Sequence, residues 1–161
     1  MARAPDTVRI GVISDTHGLL RPEAVRALRA SALIVHAGDI GTPDVLAALR
    51  AIAPVVAVRG NNDRGAWARP LRDAETVEVA GVRVHVVHDV KELGGDGATP
   101  DVDVVIAGHS HRPGIARRDG VLFLNPGSAG PRRFSLPITI ARLSVRGGRA
   151  RARIVPLTLR A

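Results

Sequence analysis

Three short apolar segments near the amino terminus each end in residues with side-chain oxygen, and this repetition constrains the fold more than any other feature. The segments, residues 8–13, 33–37 and 55–58, are rich in Val, Ile and Leu, as buried strands are. They lead into Ser14-Asp15-Thr16-His17-Gly18, into Gly38-Asp39 and, after Arg59, into Gly60-Asn61-Asn62-Asp63. Ligands bind at the carboxyl ends of strands in open α/β sheets, so the pattern predicts a site there.

Asp, Asn and Gly are also ordinary turn residues, and a turn would explain any one of these segment ends. Three consecutive strands with the same kind of ending, together with His17, favour a common site over three unrelated turns.

Two short helices are predicted between these strands. Residues 22–29 begin with Pro, and Thr42-Pro43-Asp44 offers a cap and a first turn for a second helix. Val45, Leu46 and Leu49 fall on one helical stripe. The first sixty residues therefore predict a βαβαβ unit, whose right-handed crossovers make its strands parallel.

The rest of the chain is predicted to be mainly β-structure. Residues 76–80 and 82–87 form a hairpin around Gly81, and four more strands follow at residues 102–107, 121–124, 138–145 and 150–157. Too few residues separate these strands for helical crossovers, so we expect largely antiparallel pairing. Gly94-Gly95-Asp96-Gly97 predicts a mobile loop within residues 89–100. We expect one domain over residues 1–161, with two packed sheets and the early helices outside.

Five of the histidines are distinguished by their positions in or after the predicted strands. His88 ends the apolar face of residues 82–87, whereas His85 lies on the more polar face and is interpreted as structural. His36 lies inside its strand and is interpreted as a packed histidine. His109 and His111 follow residues 102–107, and an extended backbone there would place both imidazoles on one side.

The polar residues at the strand ends suit a metal centre. The candidate ligands are Asp15, His17, Asp39, Asn61, His88, His109 and His111. They are too many for one four-coordinate ion and enough for two ions that share a carboxylate, for which Asp39 is the best candidate. The chain has no cysteine, so thiolate sites are excluded. Oxygen and imidazole donors suit Mn²⁺, our first expectation, as well as Zn²⁺, iron, Ni²⁺ or Co²⁺.

Such a centre predicts phosphate-ester hydrolysis. Two metal ions lower the pKa of a bridging water to near neutrality and stabilise charge on a phosphoryl group. The resulting hydroxide acts as the nucleophile, so no serine or cysteine nucleophile is required.

The order and spacing of these motifs resemble those of the calcineurin-like metallophosphoesterases. Asp15-x-His17, Gly38-Asp39, Gly60-Asn61-x-Asp63, His88 and Gly108-His-Ser-His111 carry the resemblance. Ser-Asp-Thr-His-Gly and Asn125-Pro-Gly-Ser128 are similar to the YfcE phosphodiesterase branch, which is related to the retromer subunit Vps29. The resemblance covers about residues 8–158. It implies an α/β fold, a four-layer α/β/β/α sandwich of two mixed β-sheets flanked by helices.

The resemblance also implies how the ligands are shared. One metal would be held by Asp15, His17, Asp39 and His111, and the other by Asp39, Asn61, His88 and His109, while Asp63 would orient its loop without binding metal. The rim of the site would include Asn125, Gly127 and Ser128, although a tight turn explains these residues equally well.

Two positions depart from the family pattern. Asn62 stands where many relatives have a histidine that protonates the leaving group, and an amide has no proton to give at neutral pH. Asp89-Val90 stands where the branch usually has Gly-His. Asp89 would add a carboxylate beside the metals. Because Asn62 cannot protonate a leaving group, we expect esters whose leaving group needs protonation to be poor substrates.

The chain is basic, with a net charge of +8, and Lys91 is its only lysine. The other positive charges are arginines, including the pairs 117–118 and 132–133 and the series Arg146, Arg149, Arg151 and Arg153. A basic surface attracts nucleic acid, but the only aromatic side chains are Trp67, Phe123 and Phe134, too few for base stacking. We interpret most of these arginines as a solvated surface.

The sequence thus predicts a cytoplasmic phosphodiesterase that acts on a small phosphate ester or a nucleotide. The amino-terminal apolar run is too short for a signal peptide or a membrane span. One alternative is a Vps29-like scaffold that keeps the fold with weak turnover and binds protein partners. A less favoured alternative is a nuclease that binds nucleic acid through its arginines. Homo-oligomers are compatible with either function.

Overall fold

The computed structural model describes residues 6–93 and 101–159, which form two five-stranded sheets. The strands of the first sheet are β1 (Val8–Ile13), β2 (Leu33–His36), β3 (Val55–Ala57), β9 (Thr139–Arg146) and β10 (Arg149–Pro156). Their order in the sheet is β10-β9-β1-β2-β3. The predicted parallel unit is confirmed, since β1 pairs with β2 and β2 pairs with β3 in parallel. Strand β9 adds to β1 antiparallel, so this sheet is mixed.

The two α-helices lie close to their predicted positions. Helix α1 spans Pro22–Leu28 and helix α2 spans Pro43–Arg50. Thr42 occupies the N-cap position of α2 in an extended conformation, but its side chain makes no capping hydrogen bond, so Pro43 is the start signal that the structure uses.

The second sheet has the order β4-β5-β6-β8-β7, and its pairing corrects one expectation. Its strands are β4 (Ala74–Val79), β5 (Val82–Val87), β6 (Val104–Ile106), β7 (Gly114–Arg118) and β8 (Val121–Asn125). The predicted hairpin is present as β4 and β5, but β5, β6 and β8 pair in parallel rather than antiparallel. The crossover from β6 to β8 consists of loops and the short strand β7, and the described part of the crossover from β5 to β6 contains the 3-10 helix Val90–Glu92. The antiparallel prediction was wrong for these pairs.

Strand β7 was not predicted from the sequence. It pairs antiparallel with β8 at the edge of the second sheet, and every one of its residues is exposed. Without a buried face it has no alternation of apolar and polar residues, which is the signal for a strand.

Two apolar clusters hold the layers together. The inner faces of both sheets pack against each other through residues such as Val12, Val84 and Ile106. The outer face of the first sheet packs on both α-helices, which contribute Leu28 from α1 and Leu49 from α2. Beside the second sheet, the helical layer described consists of the 3-10 helix Val90–Glu92, which borders Val105 and Phe123. No helix among the described residues is long and apolar enough to cross a membrane.

The predicted loop at Gly94-Gly95-Asp96-Gly97 lies outside the described residues.

Candidate metal centre

The loops after β1 and β2 run side by side and continue the parallel pairing of their strands. The amides of Asp15, His17 and Gly18 donate to the carbonyls of Gly38, Asp39 and Ile40 at 3.0, 2.9 and 2.8 Å. The loops after β5 and β6 are also joined, because Gly108 N donates to His88 O at 2.9 Å. The loop after β6 reaches the first sheet, where His109 N donates to Asp15 Oδ2 at 3.1 Å. One end of both sheets therefore carries the candidate ligands.

Two groups of side chains have the geometry of metal sites. Asp15, His17 and His111 form the first group, and Asp15, Asp39 and His88 form the second, with ligand atoms within 4.8 Å of one another in each group. In the first group Asp15 Oδ1 lies 3.4 Å from His111 Nε2 and 3.9 Å from His17 Nε2. In the second group His88 Nε2 lies 3.3 Å from Asp39 Oδ2.

Both carboxylates lie between the two groups. Asp15 belongs to both, and its Oδ1 is also 3.9 Å from His88 Nε2. Asp39, predicted from the sequence to be the bridge, belongs to the second group, while its Oδ2 is 3.8 Å from His17 Nε2 of the first. The geometry therefore makes Asp15 as strong a candidate as Asp39 for a shared ligand.

His109 and Asn61 lie at the exposed margin of the site. His109 Nδ1 is 3.3 Å from His88 Nε2, but its side chain is 45% exposed. Its Nε2 lies 3.6 Å from Asp89 Oδ2, so the carboxylate expected beside the metals does face this histidine. Asn61 is exposed in the loop that follows β3.

The backbone of the candidate ligands is unusual. Positive φ angles occur at Asp15, His17, Asp39, His109 and His111, with values of 55°, 47°, 56°, 71° and 62°. Non-glycine residues rarely adopt this left-handed conformation, and such residues cluster at functional sites. The expectation of an extended backbone at His109-Ser110-His111 was wrong, because the chain bends sharply there. The bend brings His111 to Asp15 and His109 to His88.

Several polar atoms at the centre lack hydrogen-bond partners and could instead bind a cation. Asp15 Oδ1, His17 Nε2 and His111 Nδ1 are buried without a hydrogen-bond partner. His88 donates from Nδ1 to the carbonyl of Ala37 at 2.7 Å, which turns Nε2 towards both carboxylates. A ring held through its second nitrogen in this way is typical of a metal-binding histidine. The nitrogen and oxygen donors therefore fit divalent transition-metal ions.

The charges at the centre are strongly coupled. Burial favours the neutral form of Asp39, but hydrogen bonds from His88 and Asn62 outweigh it and hold the pKa of the carboxyl far below its usual range. Burial also opposes a charged His88, yet its bonds to Asp39 and Ala37 raise its pKa to about 9. Burial also favours the neutral form of Asp15, but the nearby imidazole of His111 and the hydrogen bond from Ser14 outweigh it and lower the pKa of the carboxyl. A bound cation would replace the proton on His88.

Asn62 and Asp63 connect the loop after β3 to the loop after β2. Asn62 donates to both oxygens of Asp39, from its backbone amide to Oδ1 at 2.9 Å and from Nδ2 to Oδ2 at 3.0 Å. The buried Asp63 carboxylate accepts from the amides of Ile40, Gly41 and Gly60 at 3.2, 3.0 and 2.9 Å. These are the contacts that a residue orienting the ligand loops would make.

His36 is packed, as predicted, and it also connects the two ligand loops. It is completely buried, and Gly38 N donates to its Nδ1 at 3.1 Å. The hydroxyl of Thr16 donates to Ile40 O at 2.8 Å and therefore accepts from His36 Nε2 at 3.0 Å. This chain of hydrogen bonds needs a neutral imidazole, and burial lowers the pKa of His36 to about 4. His85, also interpreted as structural, contacts Thr76 Oγ1 through Nδ1 at 2.7 Å.

Sequence reasoning placed Asn125 and Ser128 at the rim of the site but missed the contacts that they and Ser14 make with the ligand loops. Ser14 Oγ donates to Asp15 Oδ2 at 2.6 Å, and Ser128 Oγ donates to Asp15 O at 3.0 Å. Asn125 Nδ2 donates to Gly108 O at 3.0 Å, so the Asn-Pro-Gly-Ser turn supports the loops after β1 and β6. Burial lowers the pKa of His17, and the charges of His111 and the exposed Arg133 lower it further. The sequence showed Arg133 only as one of many arginines.

Residues 8–148 match the family model of the calcineurin-like phosphoesterase superfamily domain. The chain belongs to this superfamily. A probable metallophosphoesterase from Methanothermobacter thermautotrophicus is 38% identical over 158 residues, which cover 91% of each chain. The family resemblance seen in the motifs is therefore confirmed.

Solved structures of the same fold include both relatives expected from the motifs. A phosphoesterase from E. coli, Yfce, has a TM-score of 0.68 at 24% identity, over 84% of this chain and 88% of that one. An archaeal phosphodiesterase has a TM-score of 0.72 at 24% identity, over 92% and 100%. Vps29 of Chaetomium thermophilum has a TM-score of 0.74 at 20% identity, over 93% and 97%. At these identities the structures confirm the α/β fold with two mixed sheets.

Proposed function

We propose that the protein is a metal-dependent phosphodiesterase with two divalent ions, Mn²⁺ being the first to test. The observation that carries this proposal is the position of Asp15 Oδ1, unpaired and buried, within 3.9 Å of the Nε2 atoms of His17, His88 and His111. Bound divalent ions would lower the pKa of water to near neutrality and polarise a phosphoryl oxygen. Asp39, Asn61 and His109 would complete the ligand set.

The residues around the centre favour a diester over a monoester. A phosphate monoester carries more negative charge than a diester at neutral pH, and the Asp89 carboxylate next to His109 repels the more charged substrate more strongly. Asn62 donates two hydrogen bonds to Asp39, and its side-chain amide is too weak an acid to protonate a leaving group. Esters whose leaving group is stable without protonation, such as a nitrophenolate, should therefore react best.

The exposed side chain of Arg133 is our candidate for a substrate contact. Its charge acts on His17 at the open edge of the site, where the side chain is exposed. A guanidinium binds a phosphate through two parallel hydrogen bonds, so Arg133 would orient the phosphoryl group towards the centre.

The decisive experiment is hydrolysis of bis(4-nitrophenyl) phosphate and 4-nitrophenyl phosphate by metal-stripped protein, with and without Mn²⁺, Zn²⁺, Ni²⁺ or Co²⁺. We expect metal-dependent turnover with a higher kcat/KM for the diester. Asp39→Ala should abolish it, whereas Asp44→Ala, at the start of α2, should not, because Asp44 is exposed and outside the ligand groups. Folded wild-type protein that is inert with every metal would refute the catalytic proposal.

A protein-binding scaffold is the second candidate. Val90 and Ile115 are 45% and 44% exposed and flank an apolar groove on the second sheet, and solved structures named Vps29 share the fold. A scaffold would leave the diester unhydrolysed and would lose partner binding when Val90 or Ile115 is replaced by Asp. An active enzyme should keep its turnover after the same replacements, since neither residue belongs to the ligand groups.

A further inference from the structure

The outward face of β1, β9 and β10 carries a concentration of arginines that the metal centre does not use. Along β10, Ala150, Ala152 and Ile154 pack towards the core, so the alternate residues point away from it. Register places the outward residues of the three strands side by side. The arginines of this face, called the arginine face below, are Arg9, Arg142, Arg146, Arg149, Arg151 and Arg153.

Folding alone does not favour this arrangement. Arg146 is directly opposite Arg149, and Arg142 is directly opposite Arg153. Like charges in opposed positions of an antiparallel pair destabilise the sheet. Within residues 6–93 and 101–159, the ion pairs formed by arginines involve Arg59, Arg72 and Arg83 and none of the arginine face. Arg142 is half-buried and donates from Nη2 to Ala27 O at 3.3 Å, whereas the other five arginines of this face are exposed and available to an external anion.

The face is grooved rather than flat. A cavity of about 520 Å³ lies between α1 and the strands, with Arg9, Arg142, Arg151 and Arg153 in its wall together with alanine and serine side chains. A second groove of about 370 Å³ continues past Arg146 and Arg149. The residues lining these two grooves include no acidic side chain.

We propose that the arginine face binds the sugar-phosphate backbone of a nucleic acid strand, without regard to base sequence. Alternate residues of a strand are about 6.7 Å apart, so β10 offers a row of guanidinium groups to successive anionic groups. Each guanidinium can bind a phosphate through two hydrogen bonds. The face presents no aromatic side chain for stacking, and binding therefore rests on the phosphates.

Other anionic partners suit this face less well. Peripheral binding to a lipid surface uses apolar side chains that enter the membrane. The large apolar side chains exposed in the described part of the chain are Leu19, Val90, Ile115 and Phe134, all outside these strands. The face also lies away from the metal centre, since Arg9 is near the amino end of β1 and Asp15 follows its carboxyl end. This binding site is therefore independent of the proposed hydrolysis.

Fluorescence anisotropy with a fluorescein-labelled oligothymidylate of about 20 nucleotides tests the proposal. The full chain should bind the probe, with an affinity that falls steeply as salt concentration rises. Loss of two phosphate contacts in Arg151→Gln/Arg153→Gln should weaken binding roughly tenfold or more at about 50 mM salt and reduce the salt slope by roughly 1.4. Arg50→Gln/Arg69→Gln removes the same charge from exposed positions elsewhere and should change Kd little.

Two further measurements keep the proposal testable. Asp39→Ala should bind the probe like the wild type, because the arginine face does not include the metal centre. Equal weakening by the two arginine double variants, or loss of binding in Asp39→Ala, would overturn the proposal. So would face-dependent binding to vesicles rich in phosphatidylglycerol with no binding to the oligonucleotide. Circular dichroism of each variant verifies that it is folded.

Discussion

At the level of single residues, the most informative feature of the molecule is the left-handed backbone of its candidate ligands. Asp15, His17 and Asp39 on the first sheet, like His109 and His111 on the second, hold positive φ angles that cost roughly 1–3 kcal/mol each. Hydrogen bonds between the loops hold them in place, including those from Asp15 N and His17 N. The loops therefore keep their conformation through contacts within the protein.

His36 provides a prediction about pH at this scale. Its pKa is about 4 in the folded protein and near 6.5 when unfolded, so the unfolded state binds more protons between these values. The contribution of His36 to stability should be complete above pH 6.5 and fall by roughly 3 kcal/mol as pH drops towards 4. His36→Gln should lack this part of the pH dependence in urea unfolding experiments. If the free energies of unfolding of the wild type and His36→Gln change in parallel between pH 4 and pH 7, this account of His36 is wrong.

At the level of elements, the sequence predicts whatever has a local signal. The turn at Gly81 and the alternation in β5 predict a hairpin, and the proline starts predict both helices. The exposed strand β7 has no such signal, and the parallel pairing of β5, β6 and β8 depends on contacts between distant segments. The site follows the same division. The candidate ligands could be proposed from the motifs, whereas the bend at His109-Ser110-His111 and the position of Asp15 in both ligand groups required the tertiary structure.

Gly41 provides a prediction about the contact between the ligand loops. Its φ is +97°, and a Cβ there would collide with the backbone of His17 and Gly18. Gly41→Ala should therefore destabilise the protein by about 2 kcal/mol or more, and separate the loops after β1 and β2. Gly120→Ala is the matched control, since Gly120 has a φ of +79° with open space around it. In chemical denaturation, Gly41→Ala should have a clearly lower free energy of unfolding than Gly120→Ala. Equal losses of stability in the two variants would mean that the positive φ, and not the collision, causes the destabilisation.

The paired arginines of β9 and β10 provide a prediction of increased stability. Arg153→Gln removes one charge from the directly opposed pair with Arg142 while keeping a long polar side chain. Relief of this repulsion should raise the free energy of unfolding by about 0.2–1 kcal/mol at low salt, and the gain should shrink at high salt. Arg50→Gln is the comparison variant, with the same change of charge on α2. A stability loss in Arg153→Gln at low salt would refute this account.

At the level of the whole molecule, the ligand groups join the two sheets. Each group combines one or two carboxylates that follow strands of the first sheet with a histidine that follows a strand of the second, His111 in one group and His88 in the other. Metal binding should therefore stabilise the packing of one sheet on the other, because ligands from both must be in place at once.

Thermal unfolding measures this coupling. Adding Mn²⁺ at about one hundred times its Kd should stabilise metal-free protein by roughly 2.7 kcal/mol, which appears as a higher Tm. Asp15→Asn removes the charge shared by both groups and should remove most of the gain, whereas Asp44→Asn should keep it. An equal rise of Tm in both variants would place the bound ion elsewhere on the molecule.

The left-handed ligands also have an evolutionary consequence. Glycine adopts positive φ at no steric cost, so replacing Asp15, His17 or His111 by glycine would relieve backbone strain while it removes a ligand. Natural selection for catalysis then opposes a drift towards stability. In a lineage whose descendants no longer need turnover, these positions should be among the first to change, and the two sheets would survive the loss of the chemistry they once supported.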